Sequence, residues 1–156
     1  MKVGIGQDSH AFSYENSDKK CKIAGLVFDD APSWDADSDG DIVFHSICNA
    51  ITSITHVPIM GEAAIKMCHE DKITDSEKYL LKALETLQGE KILHIALTIE
   101  AKRPRLEKRI NEMRANIAKV MGLEVSQVGL TCTSGDSLTS FGKGEGGQCF
   151  CIMSVV

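Results

Sequence analysis

Leu93-His94-Ile95-Ala96-Leu97-Thr98-Ile99 decides the fold, because apolar side chains alternate there with His94, Ala96 and Thr98 at the period of a strand. Pro104 interrupts that pattern, and Leu106, Ile110, Met113, Ile117 and Val120 then recur at helical spacing up to Gly122. A second strand follows at Val128–Thr133 and a third at Gln148–Val156, with a Gly-, Ser- and Thr-rich loop, Ser134–Gly147, between them. Upstream, Tyr79, Leu80, Ala83, Leu84 and Leu87 form the stripe of a helix from about Asp75 to Gln88, which Gly89 is placed to end. Lys2–His10 reads as a strand in which Gly4 and Gly6 permit close backbone approach, and Lys22–Phe28 as a short one. Asp29–Gly40 is a polar loop. Ser38 then reads as a helix cap with Asp41 as its acidic partner, and Val43, Ile47, Ala50 and Ile54 face the core. Strands alternating with helices, without repeat or linker, predict one α/β (α+β) domain over residues 1–156.

Composition narrows the function classes. A net charge of −5 argues against a nucleic-acid surface. No run of about 18 apolar residues occurs, and the amino terminus turns polar too early for a signal peptide, so a cytoplasmic location is expected. In that setting Cys21, Cys48, Cys68, Cys132, Cys149 and Cys151, which contain no Cys-x-x-Cys pair, read as reduced structural thiols.

Two motifs match by letter and fail by context. Asp35-Ala-Asp-Ser-Asp-Gly-Asp-Ile42 fits an EF-hand loop until position 12, where Ser46 replaces the bidentate Glu. Gly142-Lys-Gly144-Glu-Gly-Gly147 satisfies a dinucleotide fingerprint but precedes a strand instead of a helix. What survives is a loop whose amides, with Lys143, approach phosphate or another subunit, or else a plain glycine-rich turn. Lys102, Arg103 and Arg105 flank Pro104 at a strand-to-helix junction, which suits phosphate or is a solvated charge cluster. His56, His69 and His94 lack a partner at ligand spacing and read as surface or core residues.

Asp8 and His10, two apart on a strand, share one face and reach one point in space. If His45 joins them from its helix, one carboxylate and two imidazoles leave a coordination position open, the donor set of a catalytic zinc site. An ordinary Asp–His salt bridge is the alternative that spacing leaves standing.

Val3-Gly-Ile-Gly-Gln-Asp-Ser-His-Ala-Phe12, Ser38-Asp-Gly-Asp-Ile-Val-Phe-His45, Ala101-Lys-Arg-Pro-Arg-Leu106 and Phe141-Gly-Lys-Gly-Glu-Gly146 occur in the order and at the separations of one family. Through them the chain resembles the 2-C-methyl-D-erythritol 2,4-cyclodiphosphate synthases of non-mevalonate isoprenoid biosynthesis. The resemblance implies a mixed sheet of about four main strands with helices on one face. It also implies a homotrimer with active sites between subunits, acting on a small CDP-linked substrate. Asp8, His10 and His45 would hold zinc. Asp136, where Glu is usual, would carry a magnesium or manganese ion with the diphosphate.

By the same resemblance the substrate lies along Asp8, Ser9, His10, Asp37, Ser38 and Gly61, and along Ala101, Lys102, Arg103, Pro104, Arg105 and Leu106, where backbone groups read the base. Thr133, Ser134, Gly135 and Lys143 meet the phosphates, and Ser134, Asp136 and Asp37 take the catalytic positions. Departures from the family pattern are local. Asp37 replaces a usual His, and Ser140 an aromatic residue of the trimer cavity. The loop that embraces the polyol is replaced at equal length by Ile59–Glu70, with Lys66 or Glu70 as candidate substitutes. These departures keep two rivals open: a metal-dependent phosphoesterase or nucleotide lyase of other sugar specificity, and a non-catalytic nucleotide- or isoprenoid-binding module.

Overall fold

A computed structural model describes residues 1–15 and 18–156. Its centre is a four-stranded sheet in the order β1 (Lys2–Ala11), β6 (Gly146–Val155), β4 (Ile92–Ala101), β5 (Val128–Thr133). The first two pairings are antiparallel; β4 and β5 run parallel, joined by the crossover helix α4 (Ile110–Met121). The strand–helix–strand reading of 93–133 is therefore a parallel β–α–β unit. Gly122 ends α4 in the left-handed conformation at φ 67°.

The remaining helices are α1 (Ile42–Thr55), α2 (Glu62–His69), α3 (Ser76–Glu85) and the single turn α5 (Ser140–Lys143). Alternation along the strands turns Ile95, Leu97, Ile99, Cys149, Cys151 and Met153 inward, against Ile47 and Ile51 of α1, Leu80 of α3 and Met113 and Ile117 of α4. Burial pushes the Cys21 and Cys149 thiols up to about 12 and the Cys48 and Cys151 thiols higher, so these sulfurs stay protonated and act as small apolar fillers. The opposite face of the sheet carries Val3 (62% exposed), Ile5 (58%), Phe150 (39%) and Ile152 (50%), and no helix among the described residues covers it.

Local expectations are corrected in six places. Lys22–Phe28 is a hairpin, β2 (Cys21–Ile23) and β3 (Leu26–Phe28), because Ala24 and Gly25 both take positive φ, 55° and 76°, in a two-residue turn. Asp41, not Ser38, caps α1: its carboxylate accepts from Val43 and Phe44 N–H and also from Ala24 and Gly25 N–H of the hairpin turn. Ser38 closes a local turn instead, accepting from Gly40 N–H at 3.1 Å. The segment 59–70 contains a helix, and α3 ends at Glu85, short of Gly89. Leu93 is exposed because the β4–β6 register shifts between Ile92 and His94. The loop 134–147 folds into a 3₁₀ turn, Gly135–Ser137, and α5.

Gly6 sets how close α1 lies to β1. A Cβ there would overlap the Ser46 carbonyl oxygen and the Ala50 amide nitrogen, both main-chain atoms that cannot step aside. Gly6→Ala is expected to cost about 3 kcal/mol, lowering the melting temperature by roughly 10 °C, as thermal denaturation followed by circular dichroism will register.

Candidate metal and substrate site

The close β1–α1 contact delivers three side chains to one point. Asp8 and His10 project from the inner face of β1, and His45 (3% exposed) from α1, whose first turns are buried on every side. Asp8 Oδ2 lies 3.0 Å from His45 Nδ1 and 3.1 Å from His10 Nε2, and the two imidazole nitrogens are 3.5 Å apart. One ligand atom from each residue falls within 4.8 Å of the others, the one such cluster of three among the described residues. Burial raises the Asp8 carboxyl, but hydrogen bonds and charge from His10 and His45 outweigh it and hold the group at about 2. Asp8 is therefore an anion at neutral pH, as a metal ligand must be. Two imidazoles and one carboxylate crowded around a common centre fit a divalent transition metal with an open coordination position.

A cavity of about 340 Å³ opens onto this cluster. Asp37 and Ser38 flank it, and Met60, Gly61, Ala64, Ile65, Cys68 and His69 bring the α2 segment to its opposite wall. Lys66 and Glu70 are not among the lining residues; the polar group that α2 contributes is His69, whose Nε2 lies 3.0 Å from Asp37 Oδ2. His69 thus has the acidic partner that its spacing did not reveal, because Asp37 lies 32 positions away. Ser9 sits on the outer, exposed side of β1 between the two ligands and does not line this cavity.

The other predicted residues assemble elsewhere. Ala101, Lys102, Pro104, Arg105, Leu106, Thr133 and Ser134 line a second cavity of about 290 Å³ at the ends of the parallel strands β4 and β5. Arg105 N–H donates to Asp30 Oδ2 at 2.9 Å, and the Arg103–Pro104 peptide is cis. Arg103 turns away from that cavity: its guanidinium donates to Tyr14 and to the Gly144 carbonyl and lies 5.3 Å over the Phe12 ring. Beyond Ser134, the Gly135 N–H bonds to Thr133 Oγ1, and Asp136, at φ 47°, lies 3.4 Å from Ser134 Oγ. Gly135, Asp136 and Lys143 line neither cavity. Two separate cavities result within one chain, and no cavity joins them among the described residues.

Two further residues stand behind the metal cluster unannounced by any motif. Ser76 Oγ lies 2.7 Å from His45 Nε2, and Asp39 accepts from both the hydroxyl and the amide of Ser76. Their separation in sequence, 37 positions, carries no periodic signal.

With the geometry established, comparison with known proteins gives it a family. The YgbB family model matches residues 1–156. The 2-C-methyl-D-erythritol 2,4-cyclodiphosphate synthase of Chlamydia caviae is 48% identical over 155 residues, covering 99% of this chain and 88% of its own. That of Chlamydia felis is 47% identical over 156 residues, covering 99% and 89%. Among solved structures, a 2C-methyl-D-erythritol-2,4-cyclodiphosphate synthase superposes with a TM-score of 0.82 at 22% identity, over 99% of this chain and 100% of that one. The bifunctional IspDF of Campylobacter jejuni gives 0.85 at 24% identity, over 97% of this chain, which spans 41% of that larger protein. The solved structures establish a shared fold, and the full-length sequence match goes further: the chain belongs to the YgbB family, together with the 2-C-methyl-D-erythritol 2,4-cyclodiphosphate synthases.

Proposed function

We propose that this protein converts 4-diphosphocytidyl-2-C-methyl-D-erythritol 2-phosphate to 2-C-methyl-D-erythritol 2,4-cyclodiphosphate with release of CMP, as a cytoplasmic lyase of non-mevalonate isoprenoid biosynthesis. The observation that carries the reading is the intact Asp8–His10–His45 cluster within a family match that runs the length of the chain. In the reaction an oxygen of the 2-phosphate forms a bond to the β-phosphorus, and the bond from that phosphorus to the oxygen bridging it to CMP breaks. No water enters, and the electron pair leaves with CMP.

Asp8, His10 and His45 would hold a zinc ion, which would supply Lewis-acid polarisation of a phosphoryl oxygen, and Asp136 would hold a magnesium or manganese ion that offsets diphosphate charge. The protein's own groups do the rest. Lys102 and Arg105 compensate phosphate charge at the mouth of the second cavity, while the main chain from Ala101 to Leu106 offers donors and acceptors to the cytosine edge. Thr133 and Ser134 present hydroxyl donors, and Ser134 stabilises charge that grows on the attacked phosphoryl group. Asp37 and Ser38 border the polyol on the metal side.

We further propose that the active unit is a homotrimer. Each half-site of one chain would be completed by the other half-site of its neighbour, and the apolar outer face of the sheet, with Val3, Ile5, Phe150 and Ile152, would be buried between subunits. Residues 1–156 act as one domain in this reading.

The test is direct. Zinc-loaded protein incubated with the CDP-linked substrate and magnesium is expected to yield CMP and cyclic diphosphate in equal amounts, followed by ³¹P NMR. CMP with a linear bisphosphate would point to a phosphoesterase, and tight CDP binding without either product to a binding module.

A further inference from the structure

The two ring nitrogens of His45 have different neighbours, and those neighbours dictate where its proton sits. Nδ1 faces Asp8 Oδ2 at 3.0 Å and His10 Nε2 at 3.5 Å; Nε2 faces Ser76 Oγ at 2.7 Å. Ser76 is fully buried, and its hydroxyl has one other partner, Asp39 Oδ1. Asp39 acts as an acceptor throughout. It receives the Ser76 N–H at 3.1 Å, the Asp41 N–H at 3.2 Å and the Lys22 ammonium at 3.3 Å. A carboxylate among donors has no proton to give, so the Ser76 hydroxyl must donate to Asp39. The serine oxygen then offers only a lone pair to His45, and Nε2 must carry the ring proton. In the neutral ring Nδ1 then carries the lone pair, directed at the Asp8 carboxylate 3.0 Å away. A positive charge belongs between these two acceptors, either the second proton of an imidazolium, which hydrogen-bonds Asp8, or a metal ion in its place.

We propose that Asp39 and Ser76 are positioning residues that fix His45 in its Nε2–H tautomer, so that Nδ1 is the atom offered to the metal. The proposal rests on reading the three-residue cluster as a metal site. The chain also has a structural logic, since each member comes from a different place. Asp39 lies just before α1, Ser76 opens α3, and Lys22 belongs to the β2–β3 hairpin. Three packed segments thereby hold one imidazole ring, and partners of this kind typically change metal affinity by about 10- to 100-fold.

Asp39→Asn is the diagnostic variant, because it keeps the shape and reverses the hydrogen-bond sense. An amide N–H aimed at Ser76 Oγ frees the serine proton to point at His45 Nε2, which moves the ring proton to Nδ1 and blocks the ligand. Zinc affinity measured by chelator competition is expected to fall about 100-fold in Asp39→Asn and about 10-fold in Ser76→Ala. Lys22→Met breaks the same ion pair without touching the acceptors, and its zinc affinity is expected to stay within about threefold of the parent. Long-range ¹H–¹⁵N spectra of the metal-free protein above neutral pH are expected to show His45 protonated at Nε2 in the parent and in Lys22→Met, and at Nδ1 in Asp39→Asn. A purely structural role for Asp39 would weaken Asp39→Asn and Lys22→Met alike and leave the tautomer unchanged, which overturns the proposal. A parent protein that binds no zinc would instead sink the metal reading, and this inference with it.

Discussion

His45→Ala is expected to lose its metal and to cut CMP formation by about a thousandfold or more. The site has three protein donors, and His45 is the most deeply held, 3% exposed and clamped from behind by Ser76. Removing it leaves Asp8 and His10, a carboxylate and one imidazole on a strand whose cavity is open to solvent on one side. Two donors do not hold a first-row divalent ion against water at micromolar concentration, whereas three preset ones do. Loss of the ion removes several kcal/mol of charge stabilisation from the phosphoryl group under attack; about 4 kcal/mol corresponds to the thousandfold stated. The same deletion leaves the Ser76 lone pair without its donor and opens a void beside Tyr79, so a lower melting temperature is expected as well. His10→Ala separates the two effects. His10 is more exposed than His45, so its removal is expected to abolish stoichiometric zinc, measured by elemental analysis, while the melting temperature changes little. Full zinc occupancy in either variant would show that the ligand set is wrong.

Much of this site is legible in the sequence because strand and helix periodicities are local rules. Two residues separated by one on a strand share a face whatever the rest of the chain does, so Asp8 and His10 could be paired from sequence alone. The β4–α4–β5 unit was equally plain, since its apolar spacing and its closing glycine depend only on nearby residues. What could not be read is what distant segments decide. Both Ser38 and Asp41 satisfy a local capping pattern; Asp41 takes the role because the hairpin turn supplies two more amides to its carboxylate. Ala24-Gly25 carries no strong turn signal, and its left-handed backbone is set by that same contact. Ile59–Glu70 has too short an apolar pattern to announce α2, so the arrival of His69 opposite Asp37 was invisible. Ser76 and Asp39 fall in the same class: each looks like a surface cap residue until the fold brings it behind His45.

The two separated cavities make the strongest test of the assembly. If each active site pairs the Asp8–His10–His45 cluster of one subunit with the Ser134 cavity of the next, His45→Ala and Ser134→Ala damage opposite halves of it. Each homotrimer alone is then expected to be inactive or nearly so. Co-refolding the two in equal amounts creates sites whose metal half comes from a Ser134→Ala subunit and whose hydroxyl half comes from a His45→Ala subunit. In a cyclic trimer with random assortment, about one quarter of sites receive both intact halves, so the mixture is expected to recover about one quarter of parental turnover. A charge on the covering face gives the companion result. Ile5→Lys or Ile152→Lys places an ammonium on the apolar outer sheet, which costs little in an isolated chain because those positions are half-exposed. Buried between subunits it would be an unpaired charge, enough to separate them. Sedimentation is expected to show monomer that still binds zinc yet turns over at least about 100-fold more slowly, since a chain alone holds no complete site. Sites built within one chain would give the reverse pattern: no recovery in the mixture, and full activity in the monomer.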